Sequence, residues 1–110
     1  MTSTSKPGNI VYFYFYSSEP EETIVIDAHP LSSGSMITFV GRGKNSRPTS
    51  KKNLFTTYSF FTNTVHITYD MIKSKGFKDL TGYYVVGVES YYSTNFSISW
   101  KHEFSKLLYP

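Results

Sequence analysis

Apolar and polar residues alternate with a period of two through most of this chain, and that period belongs to β-strands. In IVYFYFYS, residues 10–17, Val11, Phe13 and Phe15 share one face and Tyr12, Tyr14 and Tyr16 the other. Both faces are apolar or amphipathic, which predicts a strand covered on both sides. TIVIDAH (23–29) places Ile24, Ile26 and Ala28 on one face and Val25, Asp27 and His29 on the other. MITFVG (36–41), LFTTYSFF (54–61) and TVHITY (64–69) read as three further strands, the last two joined through Thr62-Asn63. A final hairpin runs through Tyr83–Glu89 and Phe96–Lys101. In its second arm Phe96, Ile98 and Trp100 face inward and Ser97, Ser99 and Lys101 outward, with Trp100 expected to close the core.

Between the strands, Ser18-Glu19-Pro20-Glu21-Glu22 is a turn in which proline presets φ and the acids keep the tip wet. DMIKSKGFKDL (70–80) is where a helix has room, but Gly76 interrupts it, so a loop with at most one helical turn is expected. The polar lead Thr2–Asn9 reads as flexible, and the tail Phe104–Pro110 as an added edge strand or a segment across the bottom. The expectation is one domain over residues 10–110: an all-β, antiparallel, jelly-roll-like sandwich of about seven to eight strands.

Composition narrows the function classes. The chain has 110 residues, enough for a single modest core, with ten Tyr, nine Phe and one Trp. It has no cysteine, which removes a disulfide framework, a thiolate zinc site and a cysteine nucleophile together. The formal charge of +3 is too small to imply nucleic acid by itself, and no nucleic-acid partner is expected. The start MTSTSKPGN lacks the apolar run of a secretory signal, and no stretch is as long as a membrane span. A domain excised from a longer, multidomain secreted or cell-surface chain fits these features, and so does a cytoplasmic protein.

The run Leu80-Thr81-Gly82-Tyr83-Tyr84-Val85-Val86-Gly87-Val88-Glu89-Ser90-Tyr91-Tyr92-Ser93-Thr94-Asn95-Phe96-Ser97-Ile98-Ser99 resembles the closing hairpin of bacterial pre-peptidase C-terminal domains. VYFYFY followed by TIVIDAHP also resembles that family's first two strands. The family usually carries an acidic Asp-x-Asp segment in its central strands, where this chain reads MITFVGRGKN without a carboxylate. The resemblance implies a non-catalytic appendage that helps a secreted or surface protein fold, adhere or bind polysaccharide or protein. It does not carry over the calcium role of the family's acidic members.

The candidate chemistry is sparse. His29, His66 and His102 lack short metal-like spacing, and no serine sits in a Gly-x-Ser-x-Gly context, so no catalytic residue, metal ligand or cofactor site is assigned. Arg42, Lys44, Arg47, Lys51 and Lys52 crowd into RGKNSRPTSKK without an acid, and clustered positive charge of this kind grips phosphate, sulfated glycan or anionic lipid. The plainer alternative is a solvated loop. Tyr91 and Tyr92 fall at the tip of the last hairpin, where exposed rings could stack on sugars or anchor a protein. Tyr12, Tyr14, Tyr83 and Tyr84 are expected in the core or on sheet faces. Asp27, Asp70 and Asp79 are isolated carboxylates that would hold calcium only if their loops converged. Asn95-Phe96-Ser97 is an N-glycosylation sequon. The combined expectation is a binding or adhesion module for glycan or protein, acting through Tyr91, Tyr92 and the basic loop. The alternative is a phospholipid-targeting sandwich using residues 42–52.

Overall fold

The computed structural model describes residues 2–5, 8–31, 35–59, 63–90 and 94–103. Over these residues the order is β1 (Thr2–Ser5), β2 (Ile10–Ser17), β3 (Thr23–Pro30), β4 (Met36–Arg42), β5 (Phe55–Ser59), β6 (Asn63–Ile67), α1 (Tyr69–Ser74), β7 (Gly82–Ser90) and β8 (Thr94–Glu103). The described strands form two antiparallel four-stranded sheets, ordered β1-β8-β3-β6 and β2-β7-β4-β5. The pairs β1·β8, β2·β7, β3·β6 and β4·β5 mirror one another about the β4–β5 connection. The chain is therefore one long antiparallel ribbon, folded at its middle and rolled so that successive pairs alternate between sheets. This is the jelly-roll sandwich that the strand pattern predicts.

Side-chain parity decides what each strand buries. Register sets Phe13 of β2 opposite Val86 of β7, and Val86 opposite Val40 of β4, so all three face inward. Ile24, Ile26 and Ala28 of β3, Val65 and Ile67 of β6, and Phe96 and Ile98 of β8 meet them from the other sheet. Complete burial of one such side chain contributes about 1.5–3 kcal/mol. Strands β2 and β8 also face each other directly across the layer: Phe13 meets Phe96 edge-on at 5.9 Å, and Phe15 stacks on Trp100 at 4.2 Å.

Four sequence expectations are corrected. Thr2–Ser5 is not a loose lead but the outermost strand, paired with β8 from Thr2↔Ser97 to Ser5↔Thr94. Its Ser/Thr composition lacks an apolar face, so no period of two marks it. Strand β2 is covered only in part on its outer side, since Tyr14 and Tyr16 are 62% and 50% exposed. Trp100 lies on the inner face as expected but at the rim, 38% exposed, and does not seal the core. Finally, α1 is a real helix of six residues. Thr68 caps its start by accepting from the Met71 amide, and Gly76, at φ +92°, ends it in the left-handed region. The Gly76 and Phe77 amides then bond back to Lys73 and Ile72, a Schellman closure that leaves Ile72 buried.

Thr38 is the imperfect position of this core. Its residue is fully buried opposite Val88, and its hydroxyl has no hydrogen-bond partner among the described residues. A buried hydroxyl without a partner is costly, and valine has nearly the same shape. Thr38→Val is expected to raise stability by about 1 kcal/mol, read as a higher urea midpoint with an unchanged slope.

Candidate functional site

The connection from β4 to β5 carries the basic segment, and it does not project into solvent as a free arm. The Gly43 amide bonds to the Tyr83 carbonyl, and the Leu54 amide to the Val40 carbonyl, tying the two ends of the loop to β7 and β4. In between, the Tyr12 hydroxyl donates to the Pro48 carbonyl at 3.0 Å. Gly41 permits the close approach: a β-carbon there would lie 2.1 Å from Ser46 Oγ and 3.4 Å from Pro48 Cδ. Phe39 and Val85, which point outward by parity, are consequently buried to 1% exposure.

The cations of the loop divide into three uses. Arg42 sits at the end of β4 and turns to the inner side. Its guanidinium donates to the carbonyls of Asp79 and Thr81 and lies over the rings of Phe77 and Tyr84, at 4.8 and 5.0 Å. It clamps the α1–β7 connection and is taken out of the proposed charge patch. Lys44 and Arg47 lie over tyrosine rings: Lys44 Nζ is 5.4 Å from both Tyr14 and Tyr83, and Arg47 is 5.4 Å from Tyr12. Such contacts contribute about 0.5–1 kcal/mol each at exposed sites. Lys44 and Arg47 stay exposed over these rings, and Lys51 and Lys52, at the far end of the loop, are exposed as well.

Where loop coverage ends, the tyrosines emerge. Tyr14, Tyr16 and Tyr83 are 62%, 50% and 38% exposed, with Tyr83 touching Tyr14 at 6.3 Å and Tyr16 at 5.0 Å between ring centres. Lys44 stands over one end of this group. Tyr14 and Tyr83 lie on a sheet face, as the alternation predicts, but nothing in the sequence marks that face as exposed. The alternation did put Tyr12, Tyr14 and Tyr16 on one face, and the missing signal was that no second layer covers all of it. Tyr91 and Tyr92, the rings expected to bind, lie outside the described residues.

The remaining candidates have local uses. Asp27 accepts from the Thr64 hydroxyl at 2.7 Å, Asp79 accepts from the Thr81 amide at 2.8 Å, and Asp70 occupies the first turn of α1. Among the described residues no three His, Asp or Glu side chains converge as a metal site would need. Asn95 is exposed, and its amide oxygen accepts from the Thr4 hydroxyl across the β1–β8 pair. His66 lies 3.8 Å from Glu103 on an open face, worth little to stability. Ser17 Oγ is 3.3 Å from His102 Nε2, and His102 Nδ1 is 3.4 Å from the Glu22 carbonyl. That spacing has the form of a serine–histidine pair, but Ser17 is fully buried and its hydroxyl also donates to the Glu19 carbonyl, closed off from any substrate. Among the described residues no helix is long and apolar enough to cross a membrane.

Among the described residues, Tyr84 shows a strong electrostatic perturbation. Burial pushes its phenol from the ordinary 10.0 up to about 12, against the pull of the Arg42 cation, and its hydroxyl donates to the Leu80 carbonyl at 2.9 Å. The folded state therefore holds the proton more tightly than the unfolded chain. The resulting stability is complete below pH 10.0 and is lost as pH rises toward about 12. Tyr84→Phe is expected to cost about 1 kcal/mol at neutral pH and to flatten the decline of the urea midpoint across that alkaline window. A decline as steep as in the parent chain would show that Tyr84 is not its source.

No protein-family model matches this chain, and no curated protein sequence matches it.

Proposed function

We propose that this domain is a non-catalytic glycan-binding module whose contact surface is the Tyr14–Tyr16–Tyr83 platform with Lys44 at its edge. One observation carries the reading: Tyr83 pairs with both Tyr14 and Tyr16, and the three stay between 38% and 62% exposed on a sheet face where Phe39 and Val85 are buried. A sugar ring has an apolar C–H face and a rim of hydroxyls. Tyrosine offers the matching pair, an aromatic face beside a phenolic donor and acceptor. Lys44, already held over Tyr14 and Tyr83, adds a donor suited to the carboxylates and sulfates of acidic glycans. The role agrees with what the likeness to pre-peptidase C-terminal domains implies, an appendage of a secreted or surface protein.

The basic loop supports the phospholipid alternative less well. Arg42 is taken up by carbonyls, and of the exposed Lys44, Arg47, Lys51 and Lys52 the first two are drawn onto tyrosine rings. Polybasic membrane attraction sums over several cations, at about 1 kcal/mol for each.

A glycan array probed with the parent chain, with Tyr14→Ala/Tyr83→Ala and with Lys51→Ala/Lys52→Ala tests the proposal. The expected outcome is binding to acidic glycans that falls at least tenfold, about 1.4 kcal/mol, in the tyrosine variant and survives in the lysine variant. Binding to anionic vesicles that disappears with Lys51 and Lys52 would transfer the function to lipid. Array silence with a protein captured through the tyrosines would make the platform a protein interface.

A further inference from the structure

The seam between β2 and β8 holds a cleft of about 320 Å³, with Phe13, Phe15, Val86 and Trp100 among its walls. None of the residues lining it carries a formal charge. A void of about 150 Å³ is enough to take a benzene ring, so this one has room for a pair of fused rings. The rings at the cleft are aligned. Phe15 lies 5.4 Å from Tyr84 with their planes 14° apart, and 4.2 Å from Trp100 with their planes 17° apart. Tyr84, Phe15 and Trp100 thus form a run of near-parallel rings that starts at a fully buried phenol and ends at a half-exposed indole. Two further rings of the lining carry cations: Arg47 lies 5.4 Å from the centre of Tyr12, and Lys44 5.4 Å from that of Tyr14.

We propose that this cleft binds a small planar aryl carboxylate, whose ring system continues the stack from Trp100 and whose carboxylate turns outward toward Lys44 and Arg47. An alkyl chain entering the same space gains only area burial. A flat ring gains offset stacking on the indole as well. The uncharged walls offer nothing to pair with a carboxylate, and burying one there without a partner is costly. The charge therefore stays at the rim beside Tyr12 and Tyr14, where both cations are exposed. The site shares Tyr14 with the glycan surface but neither Tyr16 nor Tyr83, and it does not depend on that reading.

Trp100 is the sole tryptophan, so the chain has a single indole N–H signal to follow by proton–nitrogen NMR. The probe is naphthoate, with dodecanoate as the aliphatic carboxylate and naphthalene methanol as the uncharged ring. Expected are a saturable upfield displacement of the indole signal with naphthoate, no such displacement with dodecanoate, and weaker binding of the alcohol. By calorimetry, Trp100→Phe, which keeps a ring, is expected to retain naphthoate binding, and Trp100→Leu to weaken it about tenfold. An indole signal unmoved at millimolar naphthoate overturns the proposal. So does dodecanoate that binds as tightly, which would make the cleft an acyl-chain site. Equal affinity for the alcohol overturns the choice of a carboxylate, and equal weakening in the Phe and Leu variants overturns the stacking.

Discussion

The outer face of the β2-β7-β4-β5 sheet carries apolar residues that must be kept dry, and the 43–54 loop lies across part of it. Phe39 and Val85 point away from the core by parity yet are buried to 1% exposure. A polar, basic segment is an unpromising cover for two apolar residues. It serves because backbone bonds tie both its ends to strands, Gly41 lets it approach closely, and Lys44 and Arg47 are drawn onto tyrosine faces. The cation–ring contacts are individually small, but they hold the loop flat where it would otherwise be solvated. Part of the positive charge of this segment therefore helps close the fold, although Lys44, Arg47, Lys51 and Lys52 stay exposed. The exposed tyrosines are what the loop does not reach.

Strand β2 links this outer cover to the core, because its two faces perform different tasks at the same residues. Val11, Phe13 and Phe15 face β8 across the layer, while Tyr12, Tyr14 and Tyr16 receive the loop and form the platform. A slip of one residue would exchange the two sets. The eight paired positions against β7, from Ile10↔Glu89 to Ser17↔Gly82, hold the register against this slip. The rigidity of the platform is thus inherited from the ladder beneath it, and a preorganised aromatic surface loses less entropy on binding than one on a mobile tip.

The strands were legible because each carries an alternation that only a two-sided sheet explains. Parity correctly set Phe96, Ile98 and Trp100 on one face. It could not say where along the seam the core ends, which is why Trp100 was expected to be sealed and instead stands at the rim. Thr2–Ser5 was illegible for the opposite reason, having no apolar residue to reveal a face. The basic cluster was visible as a count of charges, but its partners are not. The rings beneath Lys44 and Arg47 come from β2 and β7, and Arg42 is turned inward by its place at the end of a strand. Charge density along a chain carries no information about which cations a fold will satisfy internally.

The rolled ribbon explains why the aromatic cleft lies between β2 and β8. In this topology β4·β5 lies at the fold of the ribbon and β1·β8 at its open end, so a mismatch in strand length shows at that end. Strand β8 has ten residues and β1 four, and the half-exposed Trp100 of the longer strand lines the cleft. Strand β2 forms one wall of that cleft and lies at an edge of its own sheet. Its inward aromatics therefore shape the cleft while its outward ones, one residue away, shape the platform. One aromatic strand, IVYFYFYS, thus serves both surfaces: Phe13 and Phe15 line the cleft with Tyr12 and Tyr14, and Tyr14 and Tyr16 stand exposed on the outer face.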